Sequence, residues 1–194
     1  MSDPIDLDPA GRLLLATAEA IDDAELGRPT PCERVTVGQL LHHVTGLALA
    51  FRAAADKDFG PLTDTAPDAG ELPTVEGDWR VPLEVNLRRL TLSWRERDAW
   101  AGMTRAGGVD LPGEVAGLVA LDELVLHGWD IARATGRDFV VDDATATACL
   151  SFVEQSDAAG TPGLFGPAVP VADDAPLMDR LVARAGRDPR WAPR

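Results

Sequence analysis

Apolar residues recur along most of this chain at intervals of three and four, the period of a helix that buries one face. Leu14, Ala18 and Ile21 give the first such face, behind an Asp8-Pro9 start signal, and predict a helix over roughly Pro9 to Asp23. A second, with Thr36 as its N-cap, carries Val37, Leu40, Leu41, Val44, Leu47, Ala48 and Phe51 and runs to about Asp56. A third opens at Pro82, stacks Leu83, Leu87, Leu90 and Trp94, and ends near Gly102. The fourth extends from near Pro112 to Gly136, a residue able to adopt the left-handed conformation that closes a helix. Asp142 caps a fifth helix containing Ala146, Cys149, Phe152 and Val153, and Pro176 to Ala185 predicts a short sixth. Gly27 to Cys32, Phe59 to Asp78, Gly107 to Leu111 and Gly160 to Ala175 read as connectors, and no stretch reads as a sheet. The predicted class is all-α. A four-helix bundle of long antiparallel helices covers about 8–136, a C-terminal extension with additional short helices covers about 137–194, and both belong to one domain spanning 1–194.

The fourth helix departs from the simple pattern. From Val115 onward most positions are apolar on nearly every side, which predicts burial all round. Its polar exceptions share a stripe. Glu123 and His127 fall about 40° apart on the helical wheel, and Asp130 lies about 20° to the other side of Glu123. Buried ionisable groups must be paired, protonated or bound to a metal.

Charge and composition narrow the function classes. The formal net charge of −14 disfavours nucleic acid and anionic membranes as partners. No apolar run approaches the length of a bilayer span, and Met1-Ser2-Asp3-Pro4 lacks the pattern of a secretory signal. Cys32 and Cys149 form no metal-type or disulfide framework, so a soluble, reduced, cytoplasmic protein is expected. Lys57 is the only lysine against many arginines, which reads as a coding bias toward GC-rich codons. Phosphate-binding glycine loops and the GxSxG nucleophile elbow are absent.

The candidate chemistry lies in the histidines. His42 and His43 are neighbours on the second helix, but only His43 sits at the edge of its apolar face. Glu123 and His127, one turn apart, converge as metal ligands do, and His43 is the natural third ligand from a facing helix. Two imidazoles and one carboxylate leave coordination positions open for water or substrate. Asp130 lies about 10.5 Å along the axis from Glu123 and leans toward His127. It is therefore expected outside the ligand set, orienting an imidazole or a metal-bound water. Zinc is the default divalent ion, with nickel or iron as alternatives. The plainer readings are a hydrogen-bonded Glu123–His127 pair, an Asp130–Arg133 salt bridge, a boundary role for His43, and Trp129 and Cys32 as packing residues.

Two segments carry a family resemblance. Pro29-Thr-Pro-Cys-Glu-Arg-Val-Thr-Val-Gly-Gln-Leu-Leu-His-His-Val-Thr-Gly46 and Leu126-His-Gly-Trp-Asp-Ile-Ala-Arg-Ala-Thr-Gly136 resemble the DinB/YfiT-like metal-binding superfamily. The nearer likeness is to the actinobacterial branch related to the mycothiol-dependent maleylpyruvate isomerase metal-binding domain. The tail, Phe165-Gly-Pro-Ala-Val-Pro-Val and Gly186-Arg-Asp-Pro-Arg-Trp191, resembles the same branch. Val35 stands where the family usually has tryptophan, and the tail resembles a shorter type than the isomerase's own C-terminal domain. The resemblance implies a DinB-like bundle with a divalent metal on His43, Glu123 and His127. It further implies mycothiol as co-substrate and a thiol-dependent transfer, conjugation or isomerisation on a small electrophile; monomer and homodimer both stay open. Metal-dependent hydrolysis and a non-catalytic metal- or ligand-binding stress protein are the alternatives.

Overall fold

The computed structural model describes residues 4–65, 72–161 and 164–193. The chain is mostly helical, in the order α1 (Asp8–Glu19), α2 (Val37–Asp56), α3 (Pro61–Asp64), α4 (Arg80–Ser93), α5 (Arg97–Trp100), β1 (Met103–Ala106), β2 (Val109–Pro112), α6 (Gly113–Thr135), α7 (Asp143–Val153) and α8 (Leu177–Arg184). The bundle is built from α1, α2, α4 and α6. Both α1 and α2 pack chiefly against α4 and α6, so the two pairs occupy opposite diagonals. One continuous buried cluster joins Leu14, Leu41, Leu87 and Leu121 of these helices to Cys149 of α7 and Leu181 of α8.

Two N-cap readings hold and one does not. Thr36 accepts from the Gln39 amide while Gln39 accepts from the Thr36 amide at 2.9 Å, a reciprocal capping box at the head of α2. Asp142 caps α7 by accepting from the Thr145 amide at 2.7 Å. Asp8, by contrast, does not cap α1; the helix begins one residue earlier than predicted, with Leu7 at the N-cap position. The Asp8 carboxylate instead meets Arg12 and, across the bundle, Arg95. α1 also ends sooner than predicted, at Glu19, and Asp23–Glu25 form a separate 3-10 turn.

The third predicted helix is broken. Trp94 is fully buried and its indole N–H donates to the Phe51 carbonyl at 3.1 Å, which ends α4. The Trp100 indole N–H then donates to the Trp94 carbonyl at 2.7 Å, with the two rings packed edge to face. Satisfying a terminal carbonyl in this way lets α5 turn away as a single helical turn.

The connector from Gly107 to Leu111 is a correction to the all-helical pattern. It belongs to an antiparallel hairpin in which Ala106 faces Val109, with Gly107 and Gly108 at the turn, both at positive φ. Two consecutive left-handed residues make a two-residue hairpin turn whose twist suits the strands. The Thr104 hydroxyl donates to the Ala54 carbonyl and fixes β1 against the end of α2. Within the predicted loop from Phe59 to Asp78, α3 forms one helical turn and the Val75 amide donates to the Gly38 carbonyl. Residues 66–71 of that loop, and 162–163 of the later glycine- and proline-rich stretch, lie outside the described residues. No helix among the described residues is long and apolar enough to cross a membrane.

α6 runs through the middle of this arrangement, and small residues let its neighbours approach. A Cβ on Gly117 would strike the rings of Trp100 and Trp94, and one on Gly128 would strike the ring of Phe139. Phe139 is buried and has little room to yield. Gly128→Ala is therefore expected to destabilise the fold by about 1–3 kcal/mol despite its gain in helix propensity. Thermal unfolding checks this, and an unchanged or raised Tm would show that the packing against Phe139 is loose.

Candidate metal centre

The site forms where α2 and α6 face each other. The Thr36 capping box fixes the start of α2, and His43 lies on its half-buried edge while His42 points to solvent. Ahead of the helix, the chain turns sharply at Pro29 to Thr36. The Thr30 hydroxyl donates to the carbonyls of Val35 and Cys32, and Arg34 adopts a left-handed conformation. That turn sets Cys32 near the end of α6 where the polar stripe lies.

On α6 the three stripe residues form a chain of contacts. His127 Nε2 lies 2.8 Å from Glu123 Oε2, and its Nδ1 lies 3.2 Å from Asp130 Oδ2. The His43 ring meets the His127 ring edge to face, with centroids 5.3 Å apart. One ligand atom each from His43, Glu123 and His127 can be chosen so that all lie within 4.8 Å of one another. Asp130 is completely buried, whereas the Glu123 side chain keeps about a quarter of its surface exposed. The group thus has a closed end at Asp130 and an open end at Glu123.

These residues fit a divalent ion. Coordination at about 2.0–2.2 Å with tetrahedral angles places ligand atoms about 3.4 Å apart, so the Glu123–His127 pair needs to open by roughly half an ångström. An ionised Asp130 can only accept, so the bond to Asp130 requires the hydrogen on Nδ1 of His127. With Nδ1 carrying that hydrogen, Nε2 points to the Glu123 and His43 side and is the nitrogen whose lone pair a metal would accept.

Electrostatics separate the two imidazoles. Burial pushes the His43 pKa down to about 4, assisted by the neighbouring His127. Burial acts the same way on His127, but its hydrogen bonds to Asp130 and Glu123 outweigh it and raise the pKa to about 9. Burial also opposes ionisation of Asp130, yet Arg187 and His127 hold its pKa below the ordinary aspartate value. The Cys32 thiol is pushed up to about 11, first by burial and then by the negative charge of Asp130.

Three features were not read from the sequence. The first is Arg187, which follows α8 and sends its guanidinium to Asp130, with Nη2 to Oδ2 at 3.0 Å and Nε to Oδ1 at 3.4 Å. The expected alternative partner, Arg133, instead donates to the carbonyls of Pro189 and Trp191 and lies over the Trp129 ring. The only sequence signal for Arg187 was its place in the Gly186–Trp191 motif. The second is Asp122, buried beside Glu123, whose Oδ1 has no hydrogen-bond partner among the described residues. Burial, then the charge of Glu123, raises its pKa well above the usual range. The third is the nearness of Cys32, which helical spacing could not give because the residue lies in a turn.

The metal-free protein carries a pH signature of this arrangement. An imidazole in the unfolded chain titrates near 6.5, and His127 in the folded chain near 9. A pKa raised by folding stabilises fully below the lower value and is lost as pH rises through the upper one. The Tm of metal-free protein should therefore fall between about pH 6.5 and pH 9. His127→Gln should remove most of that decline, and an equal decline in both proteins would contradict the assignment.

Comparison with known proteins agrees with the arrangement of the helices. The mycothiol maleylpyruvate isomerase N-terminal domain family matches residues 7–132. An uncharacterized protein of Mycobacterium tuberculosis, found in strains CDC 1551 / Oshkosh and H37Rv, is 29% identical over 177 residues, covering 86% of this chain and 87% of the relative. Crystal structures of the mycothiol-dependent maleylpyruvate isomerase and of a histidine-to-alanine variant share the fold, with TM-scores of 0.54 at 18% and 17% identity. The likeness covers 76% of this chain and 66% of the isomerase chain, just under two thirds. The chain belongs to the mycothiol maleylpyruvate isomerase N-terminal domain family.

Proposed function

We propose that the protein holds a divalent metal on His43, Glu123 and His127 and uses it to activate a low-molecular-weight thiol, mycothiol by kinship, against a small electrophile. The observation that carries this reading is the convergence of two imidazoles and one carboxylate at a site closed on one side and open on the other. A bound divalent ion supplies the positive charge that lets a coordinated thiol lose its proton at neutral pH. His43 and His127 contribute neutral donors from two helices, and Glu123 contributes charge at the open edge. Asp130 orients His127 through Nδ1, so that Nε2, which meets Glu123 in the metal-free protein, faces the side where an ion would sit. The family and the solved relatives support mycothiol as the thiol, and the electrophile is proposed to be of the unsaturated-acid type that the isomerase's name implies.

Metal analysis of the protein beside His43→Ala and His127→Ala variants tests the ligand set. Wild type should carry a stoichiometric divalent ion, expected to be zinc, and both variants should lose it; equal metal in all three would remove the site. Asp130→Asn should retain the ligands but bind metal about 10–100-fold more weakly, as loss of an orienting partner usually does. Complete loss of stoichiometric metal would make Asp130 a direct ligand instead. Incubation with an activated electrophile, with and without mycothiol, tests the chemistry. Turnover is expected only with both metal and thiol. Thiol-independent turnover would point to hydrolysis, and bound metal without turnover would point to a binding protein; either result overturns the thiol reading.

A further inference from the structure

The C-terminal segment reaches the site through two arginines. Arg133 of α6 grips the carbonyls of Pro189 and Trp191, at 2.9 and 2.8 Å. From the segment itself, Arg187 reaches back to Asp130 with two hydrogen bonds, and its Nη1 donates to the Ala185 carbonyl at 3.0 Å. Arg187 is 8% exposed and Asp130 not at all, so this ion pair is shielded from water and weakly screened. Asp130 falls within the stretch matched by the family, which ends at residue 132, whereas Arg187 lies beyond it.

The pair changes the charge of the whole site. Glu123 cancels one of the two positive charges of a divalent ion, and Asp130 would cancel the other. Arg187 neutralises Asp130 instead. Burial works against the charged forms of Asp122 and Cys32. One positive charge is left at the metal, matched to an anionic donor.

Building on the metal–thiol reading above, we infer that Arg187 is a positioning residue that neutralises Asp130 and so reserves the positive charge of the metal site for a thiolate ligand. A divalent ion held by His43, Glu123 and His127 would favour the thiolate form of the thiol, whose S–H proton would pass to solvent with no change of oxidation state.

The test uses the full chain loaded with cobalt(II), titrated with 2-mercaptoethanol and followed by the sulfur-to-cobalt charge-transfer absorption. Imidazole serves as a neutral competing ligand. Arg187→Gln should weaken thiol binding about ten- to hundredfold, as expected for removing a unit charge several ångströms away at an effective dielectric near 20. It should change imidazole binding little, and Arg187→Lys should restore much of the thiol affinity. In the Asp130→Asn/Arg187→Gln double variant both charges are gone, so thiol affinity should recover above that of Arg187→Gln alone. Equal thiol affinity in Arg187→Gln and wild type would overturn the inference. So would a parallel loss of thiol and imidazole binding, or further loss in the double variant, since each marks a purely structural role. If Arg187→Gln does not fold, the comparison of the double variant with Asp130→Asn decides, because the two should differ in favour of the more positive site. Failure of wild type to take up cobalt, or to show the band with thiol, would instead remove the underlying reading.

Discussion

A carboxylate without access to water sits near the C-terminal end of the central helix, and much of the fold is arranged to keep it ionised. Asp130 meets His127 on one side and Arg187 on the other. Removing either partner leaves a buried charge with half its compensation, a loss that typically costs several kcal/mol. The consequences spread outward. α6 must be enclosed by α1, α2, α5, α7 and the hairpin, and the segment after α8 must return across it. Glycines at 117 and 128 permit that enclosure because aromatic rings occupy the space where side chains would stand.

The same charge distinguishes two histidines of equal chemistry. His43 is held neutral by burial, while His127 is held between two carboxylates and takes a proton in the absence of metal. A divalent ion bound there would compete with that proton for Nε2 of His127. His127 is thus oriented through its far nitrogen before any ligand arrives. Orientation of this kind depends on Asp130, and Asp130 in turn depends on a residue from the far end of the chain.

Much of this was legible in the sequence because helices write their geometry in periodic positions. The i, i+4 relation of Glu123 and His127, and the choice of His43 over His42, follow from 3.6 residues per turn. Caps at Thr36 and Asp142 follow from local side-chain chemistry. The hairpin went unread although Gly107-Gly108 is a hairpin turn signal, because the strands beside it are only four residues each and only Thr104 among them is buried. The break between α4 and α5 depends on the Trp94 and Trp100 indoles, whose hydrogen-bond partners are set by packing. Arg187 was out of reach for a different reason: it acts across 57 residues of sequence, with no period linking it to Asp130.

Anomalous diffraction at the zinc absorption edge, from crystals of zinc-loaded protein, tests the central claim most directly. The account predicts one strong peak bounded by the imidazoles of His43 and His127 and the carboxylate of Glu123, with Asp130 bonded to His127 and to Arg187 but not to the ion. A peak at His42, an ion ligated by Asp130, or no ordered ion between α2 and α6 would contradict it.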